Sequence, residues 1–386
     1  DSPRGRIYLI KEFLEGNVTE IKTATKHVDR CLSCLSCMTT CPAGVDYMHL
    51  VDYTRAKLEE DNTRSLATKI IRYFISLTLP YPKRFKTAII LAKFARPFAF
   101  LFPSILKNMI GLIPKEKLKY SPYNTPQTFP SKGKTKFRVA VLTGCAQQVL
   151  KPIINESTIR LLNFLGCEVI VPDGIVCCGA LDHHLGREEK SFKAAKKNIN
   201  IWHNLLKNKK LDAIVTSTSG CGTTLKDYGQ MLKQEKNWSE KAKNISNICY
   251  DLSEFLTSIN LTNKRRYMKN ITIAYHSPCS MQHGQKINDI PIKLLKNAGF
   301  TVVEPFESHI CCGSAGTYNL LQNSIAKKLL KNKISNIEKI KPQFITTGNI
   351  GCITQIAKGT EIPILHTVEV IDWYTGGPKP EILKKL

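Results

Sequence analysis

The sequence predicts a multidomain fold, an α-helical N-terminal domain followed by two copies of an α/β unit with a parallel sheet, and three observations carry that expectation. A dense cysteine run near the start lies between two segments whose apolar residues recur at helical spacing. Further along, the cysteines repeat themselves: TGCAQQ at Cys145, CCGA at Cys177 and Cys178 and SGCGTT at Cys221 are matched by SPCSMQ at Cys279, CCGS at Cys311 and Cys312 and IGCITQ at Cys352. The offsets are 134, 134 and 131 residues, an agreement that marks an internal duplication. Strand-like runs precede these cysteines and alternate with helix-length segments, as in a parallel sheet.

Residues 1–60 read as helix, cysteine loop, helix. RIYLIKEFLEG stops at Gly16, and DYMHLVDYTRAKLEED resumes the helical pattern after the loop. Between them CLSCLSCMTTCP places Cys31, Cys34, Cys37 and Cys41 ahead of Pro42, the spacing of a bacterial ferredoxin run. Three thiolates two residues apart suit three corners of one [4Fe-4S] cubane, whereas the fourth, followed by a proline that turns the chain away, suits a second cluster. No cysteine precedes Cys31, so the run is expected to be the second half of a two-cluster unit whose first half lies ahead of Asp1. Zinc competes for such a run, but structural zinc sites usually pair two separated CxxC knuckles. A disulfide scaffold is weaker still, because 386 residues are ample for a core without staples.

Residues 61–119 form a basic amphipathic helical segment. Over residues 62–137, fifteen Lys or Arg face a single acidic residue, Glu116. Within it TAIILAKFARPFAFLFPSILKNMIGLIP contains no apolar run of the roughly 18 residues a spanning helix needs, and Pro97 and Pro103 break any single long helix. Such a stretch either lies on an anionic membrane surface or a partner subunit, or packs on its own domain. YSPYNTPQTFPSKGKTK, residues 120–136, reads as a linker. The net charge of +25 favours anionic partners, yet the chain has no zinc-finger spacing, no RNP-like aromatic motif and no recognition helix beside its basic residues, which argues against nucleic acid.

The repeats occupy residues 137–265 and 266–386. In the first, FRVAVLTG, EVIVPDGIV and DAIVTSTSG lead to the cysteines; in the second, ITIAYHSP, FTVVEPFESHI and QFITTGNIG do so. Helical segments between them end at Gly166 and Gly299. In a parallel sheet the carboxyl ends of the strands face one crevice, so Cys145, Cys177, Cys178 and Cys221 should converge as one site, and Cys279, Cys311, Cys312 and Cys352 as another. Adjacent cysteines ligate neighbouring irons of a cluster more readily than one compact metal, and Gly179 or Gly313 lets the backbone approach closely. A vicinal disulfide in each pair is the alternative, opposed by its geometric strain and by the duplicated flanking cysteines. His183, His184, His276, His283 and His309 flank the pairs as donors, ligands or packing residues; Cys167 and Cys249 fall outside the repeat and read as small buried hydrophobes.

The two units resemble the paired CCG domains of heterodisulfide reductase subunits and of lactate-utilisation, anaerobic glycerol-3-phosphate dehydrogenase and glycolate oxidase iron-sulfur subunits. DSPRGRIYLIKEFLEGN, CCGALDHHLG, SGCGTTLKDYGQML, CCGSAGTYNLLQ and NIGCITQ single out the last family. That resemblance implies an electron-transfer subunit of an oxidoreductase complex, with no substrate chemistry of its own. It would take electrons from flavin-binding subunits that oxidise glycolate to glyoxylate and pass them towards a quinone or another membrane acceptor. It also implies two ferredoxin-type [4Fe-4S] clusters in the full-length protein, a further iron-sulfur cluster in the CCG domains, and a cytoplasmic location, free or peripheral on the inner face of the cell membrane. A lactate or glycerol-3-phosphate dehydrogenase subunit, a thiol or disulfide reductase, and a structural metal-binding module are the alternatives. CCG domains with a terminal CxxC can hold a non-cubane cluster on five thiolates; here Thr224 and Gln355 stand at the fifth position. That leaves a four-thiolate site, a cluster completed by a non-cysteine ligand, or a vestige.

Overall fold

The computed structural model describes residues 1–17, 20–61, 63–114, 117–259 and 270–384. The expected boundary between the repeats, at residues 265 and 266, lies outside them, as does Glu116.

Four helices build the N-terminal part: α1 (Pro3–Leu14), α2 (Ile21–Asp29), α3 (Ser36–Thr40) and α4 (Tyr47–Glu60). Ser2 caps α1 by accepting from the Gly5 N–H, Pro3 occupies the first helical turn, and Gly16 ends the helix region at φ +77°. Ile10, Val28, Tyr47, Val51 and Leu58 pack with Cys31 into a small core. The basic segment forms three further helices, α5 (Leu66–Thr78), α6 (Pro82–Ala95) and α7 (Ser104–Gly111), with a 3-10 turn at Arg96–Leu101 where Pro97 interrupts the pattern.

The first repeat is a five-stranded sheet of β1 (Gln127–Phe129), β2 (Phe137–Leu142), β3 (Cys167–Val171), β4 (Ala213–Thr216) and β5 (Cys249–Asp251) in the order β1-β3-β2-β4-β5. All pairings are parallel except β1 with β3. Its helices include α8 (Gln147–Leu150), α9 (Ile153–Phe164), α10 (Ala180–His184), α11 (Glu188–Lys209) and α12 (Ser219–Met231). The stretch read as a linker therefore supplies an edge strand. Asn163 holds it by donating to the Phe129 carbonyl at 3.1 Å, and the Tyr123 and Phe129 rings stack at 5.2 Å. The second repeat is an all-parallel sheet, β7-β6-β8-β9, of β6 (Thr272–Tyr275), β7 (Thr301–Val303), β8 (Phe344–Thr347) and β9 (Ile364–His366).

One apolar core runs through both repeats, joining Val139, Val169 and Val215 of the first sheet to Ile273, Phe344 and Ile364 of the second. Polar contacts tie the strand ends together. Ser219 shares hydrogen bonds with Ser280 (2.7 Å) and Asn349 (2.8 Å), His366 Nε2 meets the Ser217 carbonyl at 2.6 Å, and Arg160 donates to the buried Asp372 at 2.9 Å. The N-terminal part docks on this body through α4. Asp52 faces His183 at 3.3 Å, and Gly186, at φ +74°, sits where a Cβ would lie 2.3 Å from the Arg55 carbonyl oxygen, so only glycine admits the α4 backbone there.

Candidate functional site

The strand ends of both repeats, the cysteine loop and the basic helices enclose a single cavity of about 1050 Å³. All eight repeat cysteines and Cys31 line it. Opposite them stands an apolar wall, formed by Ile75 and Leu79 of α5 and its end, Ile89 and Ala92 of α6, and Met109 and Ile110 of α7, with Arg55, Arg64 and Arg72 also in the lining. The basic segment thus turns one face onto the cysteines. Away from the cavity it keeps large apolar side chains in the open, with Phe94 76% exposed and Phe100 72%, and Leu91, in the cavity lining, is still 64% exposed.

Within each repeat the first cysteine meets the vicinal pair. Cys145 Sγ lies 3.5 Å from Cys177 Sγ, and Cys279 Sγ lies 3.8 Å from Cys311 Sγ. Cys145 and Cys279 follow β2 and β6; Cys221 and Cys352 open the first turns of α12 and of the helix Ile350–Ile356. The vicinal pairs sit in loops beyond β3 and β7, each followed by a glycine at φ +91° (Gly179) or +88° (Gly313). A Cβ on Gly313 would lie 2.7 Å from the Ala326 carbonyl oxygen, so the tight passage is built for glycine.

The crowding of sulfurs is visible in their acidity. Thiols of Cys145 and Cys178 donate to Cys177 and hold it well below the usual thiol range, while those two are driven up. The second repeat copies the arrangement, with Cys279 and Cys312 donating to Cys311. Cys352 is brought down to about 6, first by the Cys312 thiol and then, against burial, by the facing His276. Such a nest suits a cluster: bound iron would stabilise the thiolates that burial otherwise disfavours. Among the described residues every cysteine is free, vicinal pairs included.

The N-terminal run also has a shape that fits. Ser33 and Leu35 sit in the left-handed region at φ +49° and +61°, conformations that cost non-glycine residues about 1–2 kcal/mol each and turn the chain between the cysteines. The Ser33 N–H points at Cys31 Sγ at 3.5 Å, and the buried Tyr47 hydroxyl donates to the same sulfur at 3.4 Å. Burial pushes the Cys34 thiol up to about 11, with Cys311 of the second repeat adding to the shift alongside Cys31 and Cys37. Cys41 stands apart: backbone N–H groups of Val45, Ala43 and Gly44 lower its thiol at the outer end of the loop. The loop leans on the second repeat through Thr39 and His283 Nδ1 at 2.7 Å and through Tyr318, whose hydroxyl donates to the Arg30 carbonyl at 3.0 Å.

The flanking histidines divide by role. His183 and His184 face Asp52 at 3.3 and 3.7 Å, fastening the N-terminal part, and His283 serves the cysteine loop. His309 is exposed. His276 alone stands with cysteines: one of its ring nitrogens and the sulfurs of Cys312 and Cys352 lie within 4.8 Å of one another. Thr224 donates to the Gly220 carbonyl at 3.3 Å, and Gln355 accepts from Asn319 at 3.0 Å, so the residues at the fifth-cysteine positions are engaged by protein. Cys167 and Cys249 begin β3 and β5, buried, with thiols raised by burial. Sequence reading missed Tyr47 and the apolar wall; the helical spacing of Tyr47 with Val51 and Leu58 was the available signal for the former.

A family model described as a cysteine-rich domain matches twice, over residues 139–226 and 273–357, the two repeats. Over 372 residues the chain is 38% identical to the glycolate oxidase iron-sulfur subunit of Escherichia coli (strain K12), covering 96% of this chain and 88% of that protein. It is 28% identical over 376 residues to a probable glycolate oxidase iron-sulfur subunit of Bacillus subtilis (strain 168), covering 93% and 83%. Lactate utilization protein A of Geobacillus sp. (strain WCH70) is 26% identical over 241 residues, 61% of this chain and 99% of its own length.

Proposed function

The chain belongs to the family of glycolate oxidase iron-sulfur subunits, and on that premise we propose how its cysteines and its basic helices serve an oxidoreductase complex. It is an iron-sulfur subunit of a glycolate oxidase-type complex. The observation that carries the finer reading is the shared cavity, onto which Cys31 and all eight repeat cysteines open.

Iron-sulfur clusters, when bound, supply one-electron storage and transfer. Cys31, Cys34 and Cys37 would hold a ferredoxin-type [4Fe-4S] cluster, with Cys41 turned towards a second. Cys145, Cys177, Cys178 and Cys221 would hold a cluster in the first repeat and Cys279, Cys311, Cys312 and Cys352 one in the second. This assigns residues 1–60 to a ferredoxin-type domain, 61–119 to the helical cover, 120–136 to the connection, and 137–265 and 266–386 to the CCG domains. The protein's own part is geometric. Tyr47 and the Ser33 N–H support the Cys31 sulfur, the left-handed residues shape the loop, Thr39 and Tyr318 bring it beside the second repeat, and α5 to α7 give the cavity an apolar wall.

Electrons would enter from flavin-binding subunits that oxidise glycolate to glyoxylate and leave towards a quinone or another membrane acceptor. Among the described residues no helix is long and apolar enough to cross a membrane. The exposed Leu91, Phe94 and Phe100 beside a strongly basic surface support peripheral contact with an anionic bilayer, on the inner face of the cell membrane. A lactate-oxidising complex is the second reading, favoured by the likeness to lactate utilization proteins, though that likeness covers 61% of the chain against 96% for the glycolate relative.

The test is anaerobic co-purification with partner subunits, iron and acid-labile sulfide analysis with EPR, and dye reduction with glycolate, lactate and glycerol 3-phosphate. Iron-sulfur signals and a glycolate activity that Cys34→Ser abolishes support the reading. Zinc, absence of metal, or lactate-specific activity overturns it.

A further inference from the structure

The two repeats are not equivalent, and one of their differences falls at a matched position beside the cysteines. Counting back by the 134-residue repeat offset sets His276 against Leu142. Each follows or ends the strand that leads to its repeat's first cysteine. Leu142, 2% exposed, ends β2 and packs in one apolar cluster with Cys177 and Cys178. His276, 1% exposed, follows β6, where its N–H donates to the Thr346 carbonyl at 2.9 Å and fixes the backbone. From there a ring nitrogen comes within 4.8 Å of the sulfurs of both Cys312 and Cys352.

The imidazole is also under-satisfied. His276 Nδ1 is buried without a hydrogen-bond partner. Buried polar side-chain atoms in folded proteins are overwhelmingly paired, and each exception calls for a missing partner. Leu142 shows that the fold accepts an apolar residue here, so the histidine is not required by packing. A buried imidazole facing cysteine sulfurs has the donor chemistry of a metal ligand.

We propose that His276 is a ligand of the second repeat's cluster, completing a set of four thiolates and one imidazole, while the first repeat offers four thiolates alone. This rests on the reading that the second repeat binds iron. It answers the absence of a fifth cysteine: Gln355 occupies that position and is held by Asn319, and the fifth donor comes instead from the end of β6. Replacing thiolate by neutral imidazole lowers the negative charge of the set and raises its reduction potential, as it does where histidines replace cysteines in Rieske centres. The second site then becomes the more readily reduced of the two, and it is the one against which Cys34 and the N-terminal loop are packed.

The experiment uses the full chain, purified anaerobically with its iron after growth on histidine carrying 15N in the imidazole ring. Cys312→Ser first identifies the iron and the EPR signal of the second site by their loss. Pulsed EPR on the parent protein should show direct 15N hyperfine coupling on that signal, and His276→Leu should remove the coupling. Because Leu fits the matched position, the variant should fold; Leu142→His should in turn create a 15N coupling in the first repeat. If Cys312→Ser removes no iron, the cluster reading fails and the ligand assignment with it. If the site holds iron and its signal shows no imidazole coupling, or the coupling survives His276→Leu, the assignment alone is overturned.

Discussion

His49 Nε2 lies 2.8 Å from Asp227 Oδ1, joining the helix behind the cysteine loop to the helix that presents Cys221. The same ring holds Asp46 through Nδ1 at 2.6 Å. Asp227, followed by Asp46, raises the imidazole to about 9 against the opposing effect of burial. Since the folded value lies above the unfolded one near 6.5, the bridge contributes fully below pH 6.5 and is lost as pH rises through 9. The difference in Tm between the parent and His49→Asn should therefore be largest at pH 6 and close as the pH passes 9. A difference constant from pH 6 to 10 would count against a charged bridge.

Tyr47 donates to Cys31 Sγ from a buried position, and hydrogen bonds to cluster sulfurs raise the reduction potential. Tyr47→Phe keeps the ring in the small N-terminal core and removes only that bond. A potentiometric titration followed by EPR should show the signal that depends on Cys31 shifted to lower potential, with iron content unchanged.

Gly313→Ala places a methyl group against the Ala326 carbonyl oxygen and forces a side chain into the left-handed region, together about 2–4 kcal/mol of local strain. The loop carrying Cys311 and Cys312 should give way before the global fold does. The expected result is loss of iron from the second repeat with the first repeat's iron retained, measured as iron and sulfide per chain.

The exposed face of α6 and the turn after it predicts binding to vesicles. Replacing Leu91 and Phe94 by Asp removes apolar side chains worth about 1.5–3 kcal/mol each when fully buried, so even partial insertion makes the loss of affinity tenfold or more. Cosedimentation with anionic vesicles should fall accordingly and weaken with salt; equal binding by parent and double variant would remove this face from consideration.

Much of the site was legible because cysteine repetition is a sparse, strong signal. The offsets paired Cys145 with Cys279 and Cys177 with Cys311 before any contact was known, and alternating strands and helices sent them to one edge of each sheet. What escaped was long-range and polar. Nothing local to Thr39 indicates His283, 244 residues away, and nothing in CCGALDHH indicates that its histidines answer Asp52. QTF was too short to read as a strand until Val169 to Val171 gave it a partner. The helical pattern of the basic segment revealed that it has two faces but not that one would close over cysteines while the other kept Phe94 in the open.

The apolar core shared by the two repeats has an evolutionary consequence. Two separate copies of one gene product meeting across such an interface would be bound to identity, since any substitution in one would appear in both. Once both copies lie on one polypeptide they can drift apart singly, and a histidine can stand at one position while leucine stays at its match in the other repeat. Duplication within one chain thus lets two sites of one shape differ in the side chains around them.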